Sequence, residues 1–242
     1  MTKFNFKGVF MEKKNNYKVV LETIKQFNNI TFKELQGHVN IPESTTRRIL
    51  NNLEKGGKIV KEFGAYQILS APLVKEIPYL ETANINIEQK KEIARKAFYC
   101  IKPGESIFLD GGTTIDFLAD LLTVDLMINI LTNSIPIFIK LYEKGFRDIV
   151  LVGGNYNIAN HSLVGYSAVD FIEKYNFDIA FLEVSSVDQS FNCYTTRMDD
   201  LQIKRKVIER SKFVFVLADE SKFDKKSFIK FATKNEVVII SE

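Results

Sequence analysis

The 242-residue sequence is poor in cysteine and in long apolar runs, and it has no dominant charge of either sign. Cys100 and Cys193 are its only two cysteines. They lack both metal-ligand spacing and the density of a disulfide scaffold, so reduced, structural thiols are expected. No stretch approaches the roughly 20 apolar residues of a membrane span. Met1 to Met11 breaks its apolar residues with Lys3, Asn5 and Lys7, which excludes an apolar core of signal-peptide length. These absences predict a cytoplasmic protein without a membrane partner.

What is present is ordinary globular material, with 45% hydrophobic and 26% charged residues. The length suits two domains better than one large one. The net charge of +3 hides an asymmetry: residues 1–70 hold 12 basic against 6 acidic residues, and residues 71–242 hold 21 against 24. A basic head on a mildly acidic body suits a duplex-binding module joined to a domain with other work, because phosphate neutralisation supplies most sequence-independent affinity for DNA.

In the basic head, Val20, Ile24 and Phe27 recur at helical spacing and predict a first helix over 16–27. Thr31 and Glu34 form a capping-box pattern that opens a short second helix through Leu35 to His38. Val39 to Ile41 interrupts it, and Pro42 is expected in the first turn of a third helix, where its missing N–H needs no partner. On that helix Thr46, Leu50 and Leu53 share a packing face. Ser44, Thr45, Arg47, Arg48 and Asn51 are the candidate DNA contacts, being side chains that reach phosphates and base edges. Gly56-Gly57 stops the helix. Lys58–Lys61, a turn at Phe63-Gly64 and Ala65–Leu69 then read as a two-stranded wing.

Pro72 and Pro78 fall in a stretch without clear periodicity, so 71–87 is expected as a linker between a DNA-binding domain at 1–70 and an α/β domain at 88–242. Asn86 is expected to cap a helix whose stripe is Ile93, Ala97 and Ile101. Beyond it, short apolar runs such as Ser106–Leu109, Asp148–Val152 and Phe213–Ala218 alternate with amphipathic ones such as Ile115–Leu122 and Leu201–Arg210. That alternation predicts a mainly parallel sheet covered on both faces, with ligands bound beyond the carboxyl ends of its strands.

Three loops should lie at those ends. Asp110-Gly111-Gly112-Thr113-Thr114 combines glycines for close backbone approach, a helix start and two hydroxyls, a credible phosphate cradle. Thr132-Asn133-Ser134 and Gly153-Gly154 occupy equivalent positions. The first loop is neither a Walker A nor a dinucleotide fingerprint, and no cofactor, metal site or catalytic set is expected. His161 reads as a solvent-facing loop residue.

The run "STTRRILNNLEKGGKI" resembles the recognition helix and wing of the DeoR family of transcriptional regulators. "IFLDGGTTIDFLADLL", "LTNSIPI", "LVGGNYNIANHSLVG", "FDIAFLEVSS", "YTTRMDDLQIKRKVIE" and "VFVLADESKFDKKSF" resemble, in order, the sensor domain of that family. The resemblance implies an N-terminal winged helix-turn-helix and a C-terminal fold akin to ribose-phosphate isomerases. It also implies a phosphorylated-sugar effector, a double-stranded DNA operator and a homodimer or homotetramer. Carried over, it points to Asp110, Gly112, Thr113, Thr114, Thr132, Asn133, Gly153, Lys204, Asp219 and Lys222 as effector contacts. Glu183 and Ser186 stand where the family usually has glycine, Ile49 where it usually has aspartate, and Gln202 where a glutamate usually precedes the lysine matched by Lys204. The wing tip "EFGAY" carries one glycine where His-Gly-Gly is common. Two other readings stay open: a sugar-phosphate isomerase with Asp110 or Glu183 as base, and a DNA-binding regulator whose sensor has lost its ligand.

Overall fold

The computed structural model describes residues 6–27, 29–56, 58–68 and 78–242. Residues 1–5, Gly57, Leu69 and positions 71–77 of the expected linker lie outside them. The chain divides into two compact units, Met1–Pro72 and Leu73–Glu242. Among the described residues no helix is long and apolar enough to cross a membrane.

The first unit runs α1 (Phe6–Phe27), β1 (Ile30–Thr31), α2 (Phe32–His38), α3 (Glu43–Lys55), β2 (Ile59–Glu62) and β3 (Ala65–Ile68). Helix α1 starts ten residues before the expected Asn16. Val20 and Ile24 enter a core with Leu35, Leu50, Leu53, Ile59 and Tyr66, but Phe27 does not. It is the last residue of α1, remains 41% exposed and lies against the His38 ring at 4.4 Å. The capping box of α2 forms as expected: Thr31 N–H donates to Glu34 Oε2 (2.8 Å) and Glu34 N–H to Thr31 Oγ1 (3.3 Å). Pro42 sits one position earlier than expected, as the cap of α3, and its carbonyl accepts from Thr45 and Thr46 N–H. The strands form an antiparallel sheet in the order β1–β3–β2. Its β2–β3 hairpin closes through Phe63 and Gly64, both with positive φ (48° and 83°), as the right-handed strand twist requires of a two-residue loop.

The second unit begins with α4 (Tyr79–Thr82) and α5 (Ile87–Phe98), so part of the expected linker is ordered structure. There follow β4 (Ser106–Leu109), α6 (Thr113–Leu121), β5 (Asn129–Thr132), α7 (Ile135–Glu143) and β6 (Ile149–Leu151). A hairpin of β7 (Asn155–Asn157) and β8 (Ser162–Val164) leads to α8 (Tyr166–Ile172) and β9 (Phe177–Glu183). The chain ends with β10 (Ser186–Val187), β11 (Cys193–Thr195), α9 (Met198–Arg210), β12 (Ser211–Leu217), β13 (Ile229–Ala232) and β14 (Val238–Ile240).

Six strands form one sheet in the order β14–β12–β9–β4–β5–β6, with every neighbouring pair parallel. Alternate residues feed two cores. Ile107, Leu109, Ile179 and Phe181 pack under α5, α6 and α7, while Phe108, Ala180 and Leu182 pack under α8 and α9. Both faces are buried, which is why these strands read as continuous apolar runs. The chain moves outward from β4 to β6 on one side, then returns to β9 and moves outward to β14 on the other. The order therefore reverses between β4 and β9, and the crevice beyond their carboxyl ends is the place such sheets bind ligands.

Candidate functional site

Two places gather the residues singled out by the sequence. On α3, Thr46, Ile49, Leu50 and Leu53 are buried; Ser44, Arg47, Arg48 and Asn51 are exposed and Thr45 is half-buried. Ile49 is thus a core residue. The Arg47 guanidinium donates to Glu43 Oε1 from Nε (3.0 Å) and Nη2 (2.7 Å), and lies 3.9 Å from the centre of the Phe32 ring. Among the described residues Arg48 has no ion-pair partner. The helix so presents one pre-aligned arginine and one uncommitted one.

The second place is the switch-point crevice. Asp110, following β4, is fully buried. Its carboxylate accepts from Gly111 N–H (2.8 Å), Glu183 N–H (3.2 Å) and the Lys204 ammonium. Lys204, on α9 and only 2% exposed, also donates to the Glu183 carbonyl (3.0 Å) and lies 3.6 Å from Asp200 Oδ2. Burial alone would lower its pKa, but Asp110, Asp200 and Glu183 together hold it above the usual lysine range. Burial raises the Asp200 carboxyl, whose Oδ2 accepts from the Thr195 hydroxyl and whose Oδ1 has no partner. Asp110 and Lys204, both expected as effector contacts, meet each other here. The two are spent on one buried ion pair that ties β4 to α9.

The remaining loops converge as expected. The Thr132 hydroxyl donates to Leu109 O (2.6 Å) and accepts from Ser134 N–H (3.0 Å), which locks the β5 loop against β4. Asn133 is fully buried, yet both polar atoms of its amide lack a partner. Each such atom costs about 1–3 kcal/mol if left unmet. Gly153 is exposed, Thr113 is buried at the start of α6, and Thr114 is half-buried. Asp219 is buried as the cap of the 3-10 turn Glu220–Lys222, accepting from Ser221 N–H (2.9 Å) and Asn86 Nδ2 (3.1 Å). Asn86 therefore does not cap α5 with its side chain: it sits in the left-handed region (φ 53°), and its amide reaches across to Asp219 instead.

Lys222 is half-buried and faces Glu183. Burial pushes the Glu183 carboxyl up to about 7, against the pull of Lys222 and Lys204.

Sequence reasoning missed three contributors. Lys90 is almost fully buried, its ammonium donating to Thr82 O at 2.5 Å, and burial lowers its pKa. A signal existed, since Lys90 lies three residues before Ile93 on the buried stripe of α5. Tyr79 N–H donates to Ala159 O (2.7 Å), and burial raises the pKa of its hydroxyl, with the negative charge of Asp116 adding to the shift. No pattern marked it. The β7–β8 hairpin bonds the loop between β5 and α7 twice, through Leu163 N–H to Asn133 O (2.7 Å) and Ile135 N–H to His161 O (3.1 Å). His161 is half-buried rather than simply solvent-facing; its Nδ1 bonds the Tyr156 hydroxyl and its ring meets Tyr79 edge-on at 5.8 Å.

A cavity of about 510 Å³ lies at the opposite, amino-terminal end of β4, β5 and β6, bordered by Ser106, Asn129, Arg147 and Phe177. It shares no residue with the crevice.

Residues 85–242 match the family described as "DeoR C terminal sensor domain". The lactose phosphotransferase system repressor of Lactococcus lactis subsp. lactis is 32% identical over 218 residues, covering 89% of this chain and 85% of that one. The glycerol-3-phosphate regulon repressor of Escherichia coli is 27% identical over 219 residues, covering 90% and 86%. Among solved structures, ribose 5-phosphate isomerase A of Methanocaldococcus jannaschii matches 57% of this chain and 55% of its own, at 18% identity and a TM-score of 0.42.

Proposed function

The chain belongs to the DeoR family of transcriptional regulators, and on that premise we propose that its first unit is a winged helix-turn-helix reading a double-stranded operator and its second a sensor of a phosphorylated sugar. The observation that carries the reading is the outward face of α3, where Ser44, Arg47, Arg48 and Asn51 stand clear of the core. A bidentate arginine–guanine contact made from that face is worth about 1–3 kcal/mol of discrimination. The β2–β3 hairpin is the wing beside it.

The sensor half is supported by the switch-point crevice. Gly112, Thr113 and Thr114 open α6, whose amino end favours an anion. The orphaned amide of Asn133 is supplied for ligand hydroxyls, with Gly153, Asp219 and Lys222 at neighbouring strand ends. An isomerase needs a free general base. Of the two candidate bases, Asp110 is committed to Lys204 and two backbone N–H groups, which supports regulation over catalysis; an isomerase would have to rely on Glu183. Repression of sugar uptake or catabolism genes by a homodimer or homotetramer follows the same reading, since operators are usually two-fold.

The test is fluorescence anisotropy with promoter DNA from the genes adjacent to this one, with and without phosphorylated sugars. Nanomolar binding that falls on adding one sugar phosphate is expected, as is loss of binding in the folded Arg47→Ala/Arg48→Ala double variant. Unchanged binding by that variant would overturn the assignment of α3.

A further inference from the structure

At the switch point the two walls of the crevice touch. A side chain as small as a methyl on Gly112 would come within 2.8 Å of Glu183 Oε2 and 2.9 Å of its Cδ. The carboxylate therefore lies directly on the glycine that opens α6. Its backbone cannot easily turn away, because the Glu183 N–H is held by Asp110 (3.2 Å) and its carbonyl by Lys204 (3.0 Å).

The charges around it come from every side. Lys222 faces it from the turn after β12, Lys204 and Asp200 from α9, Asp110 from the end of β4, Lys90 from α5 and the Tyr79 hydroxyl from α4. Lys204 is already paired with its aspartates and the buried Lys90 donates to Thr82 O, which leaves Lys222 as the positive charge on offer to the carboxylate. A helix amino end with a lysine near it is a place for an anion. Here an anion is already present, and it is part of the chain.

Resting on the sensor reading, we propose that the Glu183 carboxylate occupies the place an effector's phosphate takes at Gly112, so that phosphate binding to this chain is linked to uptake of one proton by Glu183. An ionised carboxylate and a doubly charged phosphate repel strongly at contact in a partly buried site. A proton taken from solvent onto a Glu183 oxygen removes that charge and turns the group into a hydrogen-bond donor toward a phosphate oxygen. The side chain is suited to this, since burial already brings its titration to about 7.

The experiment is calorimetric titration of the full-length protein and its Glu183→Gln and Glu183→Gly variants with sulfate and with ribose 5-phosphate, between roughly pH 5.5 and 8.5. Sulfate stays doubly charged throughout, so any pH dependence of its binding belongs to the protein. For the unaltered chain, sulfate affinity should fall nearly tenfold per pH unit above about 7. The Gln variant should lose that slope and bind more than tenfold tighter at the alkaline end. The Gly variant, which empties the space, should bind at least as tightly and equally flatly. Equal slopes in all three proteins would overturn the proposal while leaving the sensor reading intact. No binding of either ligand to any of the three at any pH would overturn the sensor reading as well.

Discussion

The Lys204 ammonium donates to Asp110 and to the Glu183 carbonyl and lies 3.6 Å from Asp200, so its charge is held inside the protein. A buried pair of this kind adds little net stability, but removing one partner strands the other charge in a medium that solvates it poorly. Lys204→Met should therefore destabilise the protein by roughly 3–5 kcal/mol in urea unfolding. Adding Asp110→Asn to it should recover most of the loss, because the stranded charge goes too. Sequence pattern could place Asp110 and Lys204 at one crevice but could not show that they meet there. The contact spans 94 positions, and so does its meaning: two residues that look like ligand contacts are each other's counter-ion. The Gly112–Glu183 contact was hidden for the same reason.

Elements long enough to carry a helical period were legible. The buried and exposed faces of α3, the Thr31–Glu34 box and the three strand-end loops follow from spacing and residue type alone. The β7–β8 hairpin, the β10–β11–β13 sheet and α4 were not legible, since strands of two to four residues and a single helical turn are too short to show a period. At the tip of the β2–β3 hairpin, Phe63 is fully exposed at φ 48°, a conformation that suits glycine or asparagine. Phe63→Asn should raise the stability of the first unit by about 1 kcal/mol in thermal unfolding, since a bulky residue there costs roughly 1–2 kcal/mol. On α3, Arg47 must leave Glu43 to reach a phosphate, and exposed helical pairs of that spacing are worth about 0.3–0.5 kcal/mol. Glu43→Gln should accordingly tighten operator binding about twofold in anisotropy titrations. Arg48→Ala should weaken it and lower the salt slope by about one charge.

Each unit of the molecule has its own apolar core, and that of the second closes both faces of a six-stranded sheet. A fragment of residues 78–242 should thus unfold cooperatively, with the anion affinity of the full chain and no measurable affinity for the operator. A fragment that is unfolded by circular dichroism would contradict the independence of its core. The stretch that opens this unit was expected to be bare connection, because prolines and weak periodicity look alike whether a segment dangles or docks.

That stretch is pinned at both of its ends: Tyr79 N–H donates to Ala159 O in the β7–β8 hairpin, and the Asn86 amide donates to Asp219 beyond β12. Anything that displaces the hairpin or the turn after β12 must therefore drag the segment from α4 to α5 along with it or break one of those two bonds.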